Sequence, residues 1–424
     1  MPGMLRWARG RACLMAIAGL VGSLFLPIGT GVASAALVPA QTGLLNSSLA
    51  GVSCPATNYC MAVGWFDAAG FAATYLTFGE QWNGTSWTLT PTVTPPDLGG
   101  GARLNSVSCT SPTSCMAVGE IMDFHTLNGG YFTDKPLAEK WNGVVWKVVP
   151  TVKLVNTGAV LNGISCSLAS RCFAVGSKGT PSNDTQATLA ESWNGTKWSS
   201  VPTPAPREPG GTALNQVSCA TANACQAVGY DGYDSSTATS APLGESWNGI
   251  IWATVKTPSP GSSGTLTGVN CTAATACTAV GDQVTGSTRA GLAERWNGVI
   301  WKVERLPSPS GSSASSLAEV SCSGPSACMA TGSSVGQSSQ GPAPLTVQWN
   351  GTHWSDVSTP DPAAAGELLS VSCATLSVCI SVGDETELGI EQPLAEGWDG
   401  AIWSVLKIIL PLTTPALTHP GWSR

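Results

Sequence analysis

The chain has 424 residues, of which only 11% are charged, and its 49 glycines, 29 prolines and 17 tryptophans favour short strands joined by turns over helices. Length alone would accommodate two or three domains. The formal charge is −7, and an acidic chain this sparse in Lys and Arg makes a poor partner for nucleic acid or an anionic membrane.

Residues 1–35 read as a secretory signal peptide. Arg6, Arg9 and Arg11 form a positive start, Leu14 to Ile28 an apolar core, and Ala33-Ser34-Ala35 a small-residue cleavage site. The apolar run is shorter than the roughly 20 residues that span a bilayer. No later segment is long and apolar enough to span either. Cleavage would remove three arginines and no acid, taking the charge from −7 to −10. The mature chain is therefore expected to be secreted, extracellular or held at the cell surface, with no membrane span.

Residues 36–424 repeat themselves. The pattern L-x-x-V-S-C-x5-C-x-A-V-G, a variable stretch, L-A-E-x-W-N-G-x-x-W and a Pro-rich link recurs seven times, at intervals of 51 to 57 residues. The repeats start near residues 49, 104, 161, 214, 266, 317 and 368. Each unit divides into four strands. The first ends in "VSC", the second is "CxAVG", the third "LAExW", and the fourth begins at the second tryptophan. Asn-Gly between the last two is a strong hairpin signal, because a type I′ turn needs positive φ at both central residues. With Asn83-Gly84 as that turn, Trp82 would pair with Thr85 and Glu80 with Trp87, leaving the two tryptophans as diagonal neighbours.

A four-stranded unit of about 50 residues cannot bury both its faces alone, whereas units packed radially can. The expected fold class is all-β: a seven-bladed β-propeller with four antiparallel strands and one disulfide per blade. A linear β-solenoid would need shorter, more uniform coils. All repeats run in one phase, so blade one should meet blade seven by side-chain packing, with residues 37–46 or 404–424 covering the seam.

The order "CFAVG", "LAESW", "KW" resembles the kelch repeat, the propeller unit also found in the central domain of galactose oxidase. There are departures. One glycine stands where kelch has two, Trp replaces Tyr, and the hairpin is shorter. "SWNGTKW" is also a little similar to the Asp-box of sialidase-type propellers, but has Asn-Gly where that box has Asp-x-Gly. The whole pattern most resembles secreted bacterial repeat proteins of unassigned role, which implies a fold and no particular activity.

Of the 15 cysteines, Cys13 leaves with the signal and the other fourteen form C-x5-C pairs. Secretion and an even count point to disulfides: Cys54–Cys60, Cys109–Cys115, Cys166–Cys172, Cys219–Cys225, Cys271–Cys277, Cys322–Cys328 and Cys373–Cys379. Each closes a small loop and contributes about 2 kcal/mol in the chain-entropy description. No metal is expected, because the only histidines are His125, His353 and His419, and none accompanies a cysteine pair. No cofactor is expected either. A nucleophile elbow, a phosphate loop and a metal-ligand cluster are all missing from the sequence. Glu80, Glu139, Glu191, Glu245, Glu294 and Glu396 recur at one strand position, which makes them scaffold, and blade six has Val347 there. Asn83, Asn194 and Asn350 stand in formal glycosylation sequons, but the turn already accounts for them.

A binding site should lie where the repeats differ. The second cysteine and the following glycine are always four apart, whereas that glycine and the glutamate position are 13 to 20 apart. Length variation is thus confined to one face, where the links between strands two and three emerge. The residue after the glycine changes from blade to blade: Trp65, Glu120, Ser177, Tyr230, Asp282, Ser333 and Asp384. Non-repeat aromatics gather nearby, namely Phe66, Phe71, Tyr75, Phe124, Tyr131, Phe132 and Tyr233. The candidate ligand-binding set is Trp65, Glu120, Tyr230, Asp282 and Asp384, with Asn105, Asn162 and Asn215 beside the axis. The expectation is a monomeric, non-enzymatic binding or adhesion scaffold for an extracellular glycan or protein. The alternative is a carbohydrate-active hydrolase or lyase with two carboxylates on the same face.

Overall fold

A computed structural model of the chain describes residues 46–409, apart from 68–74, 95–100, 126–130, 155–156, 180–185, 205–209, 235, 310, 337–340 and 361–364. The expected signal peptide, Phe71 and His419 lie outside the described residues. So do the side chains of Phe124, His125, Tyr131 and Phe132. No described helix is long and apolar enough to cross a membrane.

The described strands form seven sheets of four, each built from one repeat in the order 1-2-3-4. In blade one these are β1 (Ser47–Ala56), β2 (Tyr59–Asp67), β3 (Tyr75–Trp82) and β4 (Trp87–Thr90). Every pairing within the sheets is antiparallel. This is the seven-bladed propeller. The second strand is buried on both faces from Tyr59 to Gly64, as a blade packed on two sides requires. Met61 and Val63 join a cluster with Leu104, Leu137, Trp141 and Trp146 of blade two. Ala62, with Leu49, Phe78 and Trp87, packs against Ile380 and Val382 of blade seven. The tryptophans therefore lie in the interfaces between blades.

The third hairpin departs from expectation. Trp82 pairs directly with Trp87, and Glu80 pairs with Leu89. Four residues turn the chain, and of the central pair only Gly84 has positive φ (96°). The reason is the Asn83 side chain, whose Oδ1 accepts the N–H groups of Thr85 and Ser86 at 2.9 Å each. That side-chain turn supplies the reversal a type I′ backbone would otherwise provide. The indoles are cross-strand neighbours, tilted by 51° with centroids 5.5 Å apart. The first hairpin is also tighter than five residues, with only Thr57 and Asn58 in the turn. All seven expected disulfides are present, with Cα atoms 3.9–4.1 Å apart.

The ring closes without exchanging a strand. The serine of each "VSC" accepts the cysteine N–H of the next blade, from Cys109 N on Ser53 Oγ (2.9 Å) round to Cys54 N on Ser372 Oγ (2.9 Å). Blade five uses Asn270 Oδ1 in the same role, at 3.2 Å from Cys322 N. These bonds occupy donors on the inner edge strands, which would otherwise be left open along the axis. At the seam Asn46 accepts the N–H of Glu391, and Leu406 and Ile408 join the cluster shared by blades one and seven. Both expected covering segments thus contribute, Asn46 from one and 406–408 from the other. Removing the closing acceptor should be felt globally. Ser372→Ala is expected to cost about 1–3 kcal/mol, since it strands a part-buried N–H. Urea unfolding checks this, and a midpoint equal to that of the parent chain would refute it.

Candidate functional site

The cystine turns and the Asn-Gly turns share one face. Trp141 Nε1, from the third hairpin of blade two, donates to Pro112 O in its first turn at 3.2 Å. The links between second and third strands emerge on the other face, where the candidate residues stand. Each candidate after the glycine has a cross-strand partner on the innermost strand. Ser48 pairs with Trp65, Arg103 with Glu120, Ala213 with Tyr230, Thr265 with Asp282 and Glu367 with Asp384. That partner column varies as much as the candidate column does.

Arg103 is the centre of the arrangement. Its guanidinium carbon lies 4.5 Å from the Trp65 ring centroid and 3.8 Å from that of Tyr75. The two rings meet edge to face at 4.9 Å. Such stacking holds a cation by the ring quadrupoles and leaves its N–H groups free for other partners. The Arg103 Nε is buried with no hydrogen-bond partner among the described residues.

Carboxyls surround this cation. Burial lifts Glu120 to about 7, repulsion from Asp134 adds to the rise, and Arg103 opposes it. Asp134 is raised by burial and held down in part by Arg103. From blade seven, Glu391 is raised by burial and lowered by Arg103, with Glu367 and Asp67 pushing it up. Burial raises Asp384 to about 6, the Ser48 hydroxyl at 2.8 Å counters this, and adjacent Glu391 raises it again. Glu367 is raised by burial and by Asp384. One arginine thus interacts with acids from two blades.

The structure brings Trp65, Glu120 and Asp384 into this sector over blades seven, one and two. Tyr230 and Asp282 belong to separate surroundings. The Tyr230 hydroxyl donates to Gln186 Oε1 at 3.3 Å, and its ring meets Tyr233 at 5.9 Å. Burial, and secondarily Tyr233, raises its pKa. Asp282 is buried and accepts Arg289 Nε at 2.8 Å. The amide nitrogens of Asn105, Asn162 and Asn215 donate to carbonyls of the next blade, those of Leu161, Leu214 and Leu266, at 2.8–3.1 Å. Deeper along the axis Gln216 Nε2 donates to Glu319 Oε2 at 2.7 Å, linking blades four and six across the channel. Sequence reasoning missed Arg103 and this pair. The available signal was variation along the innermost strand, since Arg103 stands just before the repeat leucine and Gln216 and Glu319 two residues after it, at positions that differ between repeats. Among the described residues no group of three His, Cys, Asp or Glu side chains could hold a metal ion.

No family model matches the chain, and no curated protein matches it. Solved structures do. One, described as "YCF48 bound to D1 peptide", is 11% identical with a TM-score of 0.46, covering 80% of this chain and 91% of that one. Another, a protein of unknown function from Dyadobacter fermentans DSM 18053, is 7% identical with a TM-score of 0.46, covering 86% and 95%. At such identity the likeness concerns the fold alone, and a kelch or galactose-oxidase affiliation does not follow from it.

Proposed function

We propose that this chain is a secreted, non-enzymatic binding scaffold whose variable-loop face engages an extracellular glycan or protein. The carrying observation is the Arg103 guanidinium stacked on Trp65 and Tyr75 and flanked by acids of blades seven and two. Aromatic faces beside hydrogen-bonding carboxyls suit the apolar face and hydroxyls of a sugar, or an amine-bearing side chain. Seven disulfides in a propeller agree with an oxidising compartment. The chain is taken to act as a monomer.

One observation favours the enzymatic alternative. Glu120, held near 7 beside Asp134, has the protonation a general acid needs. A glycan-array screen followed by product analysis separates the two readings, because only the enzyme releases shortened product. For the binder, Trp65→Ala should weaken ligand binding at least tenfold while the melting temperature stays within a few degrees. Retained affinity in a folded Trp65→Ala/Tyr230→Ala variant would move the site off this face.

A further inference from the structure

The repeat breaks in three places at once between blades five and six. In blades one, two, three, four and six the link after the fourth strand carries a threonine: Thr92, Thr151, Thr203, Thr257 and Thr359. Each donates its hydroxyl to the third strand of its own blade, as Thr151 does to Pro136 O (2.9 Å) and Thr257 to Pro242 O (2.7 Å). Blade five has Leu306 instead. Its third-strand residue, Thr or Pro in every other blade, is Gly291, where a Cβ would lie 3.1 Å from Leu306 Cδ1. The glutamate that blade six should supply to this interface is Val347. A polar contact has been replaced by leucine, valine and space.

The space is a cavity of about 470 Å³, open at the propeller's flank. That volume lies within the range enclosing a small organic molecule. Leu292, Leu306, Leu317, Leu345 and Val347 form its apolar floor, and Arg289 and Arg305 stand at its rim with Glu304. Arg289 is tied to Asp282. Arg305 is exposed and has no ion-pair partner among the described residues. Arg305 is therefore the rim cation not already held by an ion pair, with the acid Glu304 next to it in the chain.

We infer that this cleft binds a small amphipathic carboxylate, its aliphatic chain on the leucines and its head on Arg305. The site is separate from the Arg103 sector and does not depend on the reading of that face. An apolar floor makes affinity rise with chain length, by about fourfold per methylene that is buried. An arginine head group makes it depend on charge.

Isothermal titration calorimetry with acetate, hexanoate and decanoate tests the assignment on the full mature chain. Decanoate should bind with 1:1 stoichiometry, hexanoate more weakly, and acetate undetectably. Arg305→Ala, at an exposed position that leaves the fold intact, should weaken decanoate at least tenfold. The triple variant Gly291→Thr/Leu306→Thr/Val347→Glu installs the link threonine, third-strand threonine and glutamate found at the interfaces of blades one with two and three with four, and should abolish binding. Equal affinity for all three acids, no binding of decanoate, or binding unchanged by Arg305→Ala would overturn the inference. Loss on Trp65→Ala with retention on Arg305→Ala would also overturn it, by placing the anion in the other sector.

Discussion

The melting temperature should fall as pH rises from 5 to 9. Six glutamates, one in every blade but the sixth, are 0–1% exposed at the third strand: Glu80, Glu139, Glu191, Glu245, Glu294 and Glu396. Desolvation raises Glu139 and Glu191 to about 7 and the other four to about 8. The difference follows the links. Val93 and Val152 give their N–H groups to Glu139 and Glu191, at 2.9 and 3.2 Å, and so favour the charged form. The corresponding residues facing Glu245, Glu294 and Glu396 are Pro204, Pro258 and Pro360, which have no N–H to give. At Glu80 the N–H of Ile409 approaches and lowers the pKa a little, but neither carboxyl oxygen reaches hydrogen-bond geometry.

A carboxyl with a raised folded pKa takes up a proton on folding. Its stabilisation is complete below the unfolded value near 4.3 and is lost as pH climbs through 7 to 8. The chain should therefore tolerate mild acid and weaken in mild alkali. With one pKa unit worth about 1.4 kcal/mol and water penetration reducing the full effect, a loss on the order of 10 °C between pH 5 and 9 is expected. Calorimetric melts across that range measure it. Glu294→Gln should flatten the slope, because glutamine stays neutral and Val347 already shows that an uncharged side chain fits this position in blade six. A profile that is flat, or that rises with pH, would contradict the assignment.

Most of the architecture was legible because it is periodic. Seven copies of one pattern in a single phase leave radial packing as the way to bury both faces of every sheet, and the C-x5-C spacing sets two cysteines opposite each other across a hairpin. The turn between tryptophans was misjudged because the pattern shows Asn-Gly but not how the Asn side chain is used, and an acceptor at Asn83 Oδ1 changes the pairing by allowing four residues in the loop. The candidate site was half legible. Trp65 and Glu120 stand out by differing from their repeat equivalents, whereas Arg103 acquires meaning from Tyr75, a residue of another blade. Contacts of that kind depend on how neighbouring sheets sit, and no spacing along one repeat encodes them. The Gln216–Glu319 bond is more distant still, spanning 103 residues of sequence.

The largest effect of a single methyl group is expected at the glycine that ends "AVG". In blade five this is Gly281, paired with Leu266 on the innermost strand. That strand shifts register between Leu266 and Gly268, and the bulge presses its backbone onto the glycine. A Cβ on Gly281 would fall on the carbonyl oxygen of Thr265 and within 2.9 Å of Leu266 Cα. Both are backbone atoms of the innermost strand, so no side chain can rotate away. The equivalent glycines Gly64, Gly119, Gly176, Gly229, Gly332 and Gly383 meet the carbonyl oxygens of Ser48, Arg103, Val160, Ala213, Ser316 and Glu367 in the same way. This close approach accounts for a glycine in all seven repeats. It also brings the innermost strand against the second, which sets the candidate column beside its partner column. Gly281→Ala should therefore cost more than about 4 kcal/mol or abolish folding, at the extreme of single-site effects. Gly286, five residues on in the same hairpin, has a φ of 63° but no atom within 4 Å of a new Cβ. Gly286→Ala should cost only about 1 kcal/mol, the penalty of an unfavourable backbone conformation without a clash. Guanidinium unfolding of the two variants side by side gives the comparison. Similar midpoints would mean that the bulge relaxes to admit the methyl group, and the glycine column would then need another cause.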